Sequence, residues 1–197
     1  LDNSASYPEN KLKAEIGLMR CYTFLEELGI AAEYAKKVLA DPLALDNVKV
    51  EAHYVIGKAA LEADNYAKAL SEFKEVTEQT SSVLGAEAQF SIALIYHLQE
   101  EFKKSEDEVR VLMKERAGYD FWVAKALILQ SKNSIGLDDY VQAEYTINSV
   151  LNGYTVTDDG ILEEANEVMA VIQAYKNKEK DLDPDIDNPI EIGDGND

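Results

Sequence analysis

The stretch VEAHYVIGKAALEADNYAKALSEFKEVT, Val50 to Thr77, holds two helical patterns joined by a polar break at Asp64-Asn65. Its first half places Ile56, Gly57 and Ala60 on one face. Its second half places Tyr66, Ala69, Phe73 and Val76 at the three- and four-residue steps of an α-helix. The spacing predicts two helices that come closest at Gly57 and Ala69, with Tyr66 and Phe73 filling the space around them.

The same arrangement recurs on both sides. Before it, Leu18, Met19, Tyr22 and Leu25 share a face, Glu26-Glu27 interrupts, and Leu28, Ala31, Ala35 and Val38 follow until Asp41-Pro42 stops the helix. After it, Ser81 to Gly85 forms a break. Ile92, Ala93 and Tyr96 then precede Phe102, Ser105, Val109 and Leu112. Beyond Ala117-Gly118, Leu127, Ser131 and Ser134 precede Tyr140, Ala143, Ile147 and Val150. The second-helix small residues Ala31, Ala69, Ser105 and Ala143 stand 38, 36 and 38 residues apart.

Gly57, Tyr66, Ala69 and Phe73 resemble the small, Tyr, Ala and aromatic positions of a tetratricopeptide repeat (TPR). The resemblance implies an all-α, right-handed α-α superhelix of about four helix pairs with a C-terminal capping helix. The expected organisation is an entry segment over 1–10 and a repeat domain over 11–180. Its units span 11–43, 48–80, 84–117 and 120–153, and the capping helix spans 160–178. The remaining 181–197 is expected to be a disordered acidic tail. With GLMRCY in the first unit and WVAKALILQS in the fourth, the repeat style is similar to that of bacterial, Bacteroidetes-type TPR proteins. Departures are specific. Glu15, His53, Gln89 and Leu127 occupy the column where the family carries Trp, and the closing Pro survives only as Pro42, one place early. Gln130 and Ser134 replace apolar residues, making the fourth unit the weakest match.

Composition narrows the function classes. The chain has 197 residues, 46% hydrophobic and 29% charged, with 38 acidic against 19 basic side chains and a net charge of -19. That field repels phosphate backbones and anionic lipid surfaces, so nucleic acid is not an expected partner. No apolar run is long enough to span a bilayer. The single cysteine, Cys21, allows no internal disulfide and leaves the compartment open. No Gly-rich phosphate loop, nucleophile elbow or catalytic constellation is present, and no enzyme activity or cofactor is expected. His53 and His97 lie 44 residues apart without further ligands at metal-binding spacing; His53 reads as a packed, hydrogen-bonded side chain. Asp181, Asp183 and Asp185 alternate as calcium ligands do, but Ile186 and Ile192 stand where such a loop needs Gly and Glu. No metal is expected.

In TPR proteins the first helix of each pair lines the concave, peptide-binding face. The corresponding stripe here is Lys13, Ile16, Arg20 and Thr23; Glu51, Tyr54, Lys58 and Leu61; Glu87, Phe90, Leu94 and His97; and Lys125, Ile128, Lys132 and Ile135. The candidate binding residues are Lys13, Arg20, Tyr54, Lys58, Phe90, His97, Lys125 and Lys132, bases interleaved with aromatic rings. The carboxylate clamp of chaperone-binding TPR domains is not reproduced, because Ile16 and Tyr54 stand at its fifth position and no Asn at its ninth. The expected function is a scaffold that binds a protein or peptide, with self-association through exposed repeat ends as the alternative. The first unit lacks a cap, so further repeats or a partner are expected before Lys11. The acidic, isoleucine-bearing tail is expected to complement the basic stripe weakly.

Overall fold

The structure, a computed structural model, describes the backbone of residues 8–182 and the side chains of residues 10–178. Among them are nine α-helices and no strand: α1 (Pro8–Phe24), α2 (Leu28–Ala40), α3 (Asp46–Glu62), α4 (Tyr66–Gln79), α5 (Val83–Leu98), α6 (Phe102–Glu115), α7 (Asp120–Gly136), α8 (Tyr140–Gly153) and α9 (Ile161–Leu182). Each helix packs on the next in sequence, α1, α3, α5 and α7 also meet in succession, and α9 closes on α7 and α8. This is a solenoid of four helix pairs with a terminal cap.

One turn builds every pair. Glu26, Asp64, Glu100 and Asp138 all hold left-handed backbone, with φ between 53° and 60°. The next amide in each case reaches back five residues: Glu27 to the Tyr22 carbonyl, Asn65 to Ala60, Glu101 to Tyr96 and Asp139 to Ser134. These are the closing bonds of a Schellman motif, which satisfies carbonyls that the helix end leaves without partners. The residue after the left-handed one caps the second helix. Asn65 and Asp139 accept from the amides of Lys68 and Gln142, whereas the longer Glu27 and Glu101 make no such bond.

The helices of each pair meet at small residues. The small second-helix residues Ala31, Ala69, Ser105 and Ala143 are all buried, as are Met19, Gly57, Ala93 and Ser131 on the first helices. At Gly57 the tight contact is with Phe73, since a Cβ there would lie 2.8 Å from its ring. In the third and fourth pairs the contact is polar: Ser105 Oγ donates to the Ala93 carbonyl and Ser131 Oγ to the Ala143 carbonyl, each at 2.8 Å. Of the fourth unit's polar substitutions, Ser134 is buried and Gln130 Nε2 donates back to Glu106 of α6 at 3.1 Å. The Trp column is polar for the same reason. His53 Nδ1 meets Glu72 at 2.6 Å and Gln89 Nε2 donates to Glu108 at 2.7 Å.

Two boundaries differ from the sequence reading. Gly85 lies inside α5 rather than in the break before it. The last helix runs to Leu182, beyond the expected end at 178, with Tyr175 stacked on Tyr140 and Lys176 paired to Glu144 holding its final turns. The acidic tail from 183 onward, and its expected contact with the stripe, lie outside the described residues.

Candidate functional site

Helices α1, α3, α5 and α7 carry the predicted stripe, and all of its Lys and Arg side chains except Lys13 are engaged in ion pairs. Arg20 grips Glu51 of the next pair through Nε and Nη2, at 2.8 and 2.7 Å. Lys58 Nζ lies 3.9 Å from Glu87 of the following pair and over the Tyr54 ring. Lys125 and Lys132 converge on Glu164 of α9, at 2.6 and 2.5 Å. In each case a base on one unit binds an acid on the next. The stripe thus carries ion pairs from α1 to α3, from α3 to α5 and from α7 to α9, while α5 and α7 are joined by the His97–Asn133 hydrogen bond. Burial pushes the Glu164 carboxyl up, but hydrogen bonds from Lys125 and Lys132 outweigh it and hold the group below the usual carboxylate range. Lys13 remains exposed.

The two rings of the stripe are core residues rather than open platforms. Tyr54 is 7% exposed; it packs against Phe73, and its hydroxyl donates to Glu87. Burial, then the Glu87 hydrogen bond, pushes the phenol well above its ordinary value. Phe90 is also buried, 5.5 Å from Trp122 between ring centres, with Lys125 over its face.

Clefts of about 340 and 380 Å³ lie beside Lys13, between α1 and the start of α3, and between the starts of α3 and α5. A groove of about 600 Å³ lies between the C-terminal ends of α5 and α7 and the middle of α9. Its apolar wall is Leu98, Phe102, Ile135, Val168 and Val171; its polar groups are His97, Glu100, Lys132 and Glu167. Of the eight candidate residues the structure brings His97 and Lys132 to this groove, while Arg20, Tyr54, Lys58, Phe90 and Lys125 form the ion pairs and their packing. The sequence reading missed Leu98, Glu100, Phe102, Gly136 and the α9 residues. It gave the last helix only the task of capping the fourth pair.

His97 is held from below. Its Nδ1 lies 2.7 Å from Asn133 Oδ1, and Asn133, fully buried, donates from Nδ2 to Ser105 Oγ at 2.8 Å. Phe102 packs beside the imidazole, 5.6 Å between ring centres. Phe102 is in turn seated on Gly136, where a Cβ would come within 2.4 Å of the ring.

No protein-family model matches the chain, and no curated protein matches it. Among solved structures, the crystal structure of MamA shares the architecture with a TM-score of 0.55, at 16% sequence identity. The match covers 83% of this chain and 97% of that one. MamA contains tetratricopeptide repeats. Together with the stacked helix pairs, the likeness makes this chain a TPR-like all-α solenoid.

Proposed function

We propose that this chain is a non-catalytic interaction scaffold that seats a peptide or protein segment on the face formed by its first helices. Proteins of the TPR-like fold are typically non-catalytic and serve as protein-interaction scaffolds. The observation that carries the reading is the apolar groove between α5, α7 and α9, where two stripe residues, His97 and Lys132, meet half-exposed aliphatic side chains. Lys13, Arg20, Lys58 and Lys125 extend the same face as its charged edge, with Tyr54 and Phe90 packed beneath it. A randomised peptide array tests this. The chain is expected to retain a subset of peptides and to lose them on Val171→Asp, a change at an exposed groove position. Retention unaffected by Val171→Asp contradicts the assignment.

A second reading, self-association through the first-pair end, has its own observation. On α1, Leu18 and Cys21 are exposed, and Phe24 is 87% exposed. The residues equivalent to Leu18 and Cys21 are Ile56 and Ala59 on α3 and Ile92 and Ile95 on α5; the three isoleucines are buried and Ala59 is partly buried. An uncovered repeat face of this kind is a stacking surface. Light scattering across a concentration series tests it: association should appear in the parent and vanish in Leu18→Glu/Phe24→Glu. A monomer at every concentration contradicts this reading.

A further inference from the structure

We propose that the groove between α5, α7 and α9 selects a segment carrying apolar side chains flanked by Lys or Arg, with His97 Nε2 accepting a hydrogen bond from it. This rests on the reading of that groove as the binding face. It runs against the first impression of the stripe, whose bases alone favour an acidic ligand.

The hydrogen-bond chain beneath His97 has a fixed direction. The Ser105 hydroxyl has one proton, and it lies on the Ala93 carbonyl, which can only accept. Ser105 Oγ therefore accepts from Asn133 Nδ2, and this turns Asn133 Oδ1 toward His97. Reversing the amide would set its oxygen against a hydroxyl with no proton left to give. His97 Nδ1 must then carry its hydrogen. In the neutral ring that leaves Nε2, on the opposite edge, as an acceptor beside the groove. Neither partner in the chain can relax outward, because Asn133 and Ser105 are both fully buried. Nε2 is thus a preorganised acceptor for an N–H or O–H of whatever enters.

The charge around that acceptor is negative. Lys132, the one cation among the lining residues, is turned to Glu164, which it shares with Lys125, so that trio keeps one net positive charge against the two carboxylates Glu100 and Glu167. Glu100 and Glu167 line the groove and make no ion pair among the described residues. Behind them lies a chain of net charge -19, whose field concentrates cations at its surface. The apolar floor of Ile135, Val168 and Val171 takes aliphatic side chains. An acceptor, two unpaired carboxylates and an aliphatic floor match a basic-apolar segment, and they repel an acidic one.

Two labelled peptides decide the matter: one has a Leu-Val centre flanked by Lys and Arg, the other the same centre flanked by Asp and Glu. By fluorescence anisotropy the basic peptide should bind and the acidic one should not. Reversing both exposed groove carboxylates, Glu100→Lys/Glu167→Lys, should weaken the basic peptide by about tenfold, since each exposed pair is worth up to about 1 kcal/mol. Imidazole nitrogen NMR supplies the second readout. The free chain should show the Nδ1–H tautomer at His97, and the basic peptide should move the Nε2 signal more than the Nδ1 signal. Acidic peptide binding that Val171→Asp abolishes would overturn the selectivity while leaving the groove assignment standing. Failure of both peptides to bind would overturn the two together. Basic peptide binding indifferent to both the charge reversal and Val171→Asp would show attraction to the general acidic surface, and would overturn the site.

Discussion

Glu26 and Glu100 hold left-handed backbone, at φ 60° and 59°, where a Cβ is sterically disfavoured and glycine is the usual occupant. Replacing either by Gly should raise stability by about 0.5–1 kcal/mol, the relief of strain less the added freedom of the unfolded chain. Thermal melts of Glu26→Gly and Glu100→Gly check this; an unchanged or lower midpoint in both contradicts the turn geometry. The two serines at the helix contacts differ in what depends on them. Ser131→Ala removes one bond to the Ala143 carbonyl and should cost about 1 kcal/mol. Ser105→Ala also strands the buried Asn133 amide, and should cost about 1–3 kcal/mol and loosen His97. Equal denaturation midpoints for the two variants would contradict the network. At this scale the sequence was partly informative. The small-residue column of Ala31, Ala69, Ser105 and Ala143 was visible from spacing alone. The Asn133 partner was not, because it stands 36 residues from His97 and no helical period links positions on different units.

Among the elements, α9 is the one whose attachment titrates. Ile161, Ala165, Val168 and Ile172 bury its apolar face on the last pair, and the sequence reading already placed a capping helix over 160–178. The ionic part was not readable there: Glu164 joins Lys125 and Lys132 of another helix, a contact that no helical spacing displays. Its folded-state affinity for protons is lowered, so the unfolded chain binds the proton more readily than the folded one. The stabilisation is therefore complete above the ordinary carboxylate range of about 4.3 and is lost as pH falls through the lower folded value. Glu72 behaves alike: burial raises it, but hydrogen bonds from Lys68 and His53 outweigh burial and hold it low. Acid should thus weaken the second pair and the α9 closure. Denaturation midpoints measured from pH 7 to pH 3 should fall more steeply for the parent than for Glu164→Gln. Parallel curves would mean that the Lys125–Glu164–Lys132 cluster adds nothing to the closure.

Over the whole molecule, the ion pairs from Arg20 to Glu164 give the basic stripe a structural task and leave the acidic groove as an open part of the face. The fold was legible because one unit recurs four times and each recurrence repeats the same contact between its two helices. The site was only half legible. Helical spacing places residues on a common face, but whether a base on that face is free depends on the acid one unit away. Glu51 and Glu87 stood in the stripe itself and were the available sign. The central claim is that a partner segment sits between α5, α7 and α9. Methyl NMR of the chain with and without the basic-flanked peptide tests it most directly. The account predicts shifts at Leu98, Ile135, Val168 and Val171, with Leu18 and Val111 unmoved. Shifts centred on Leu18 or Val111, with the four groove methyls unchanged, would contradict it.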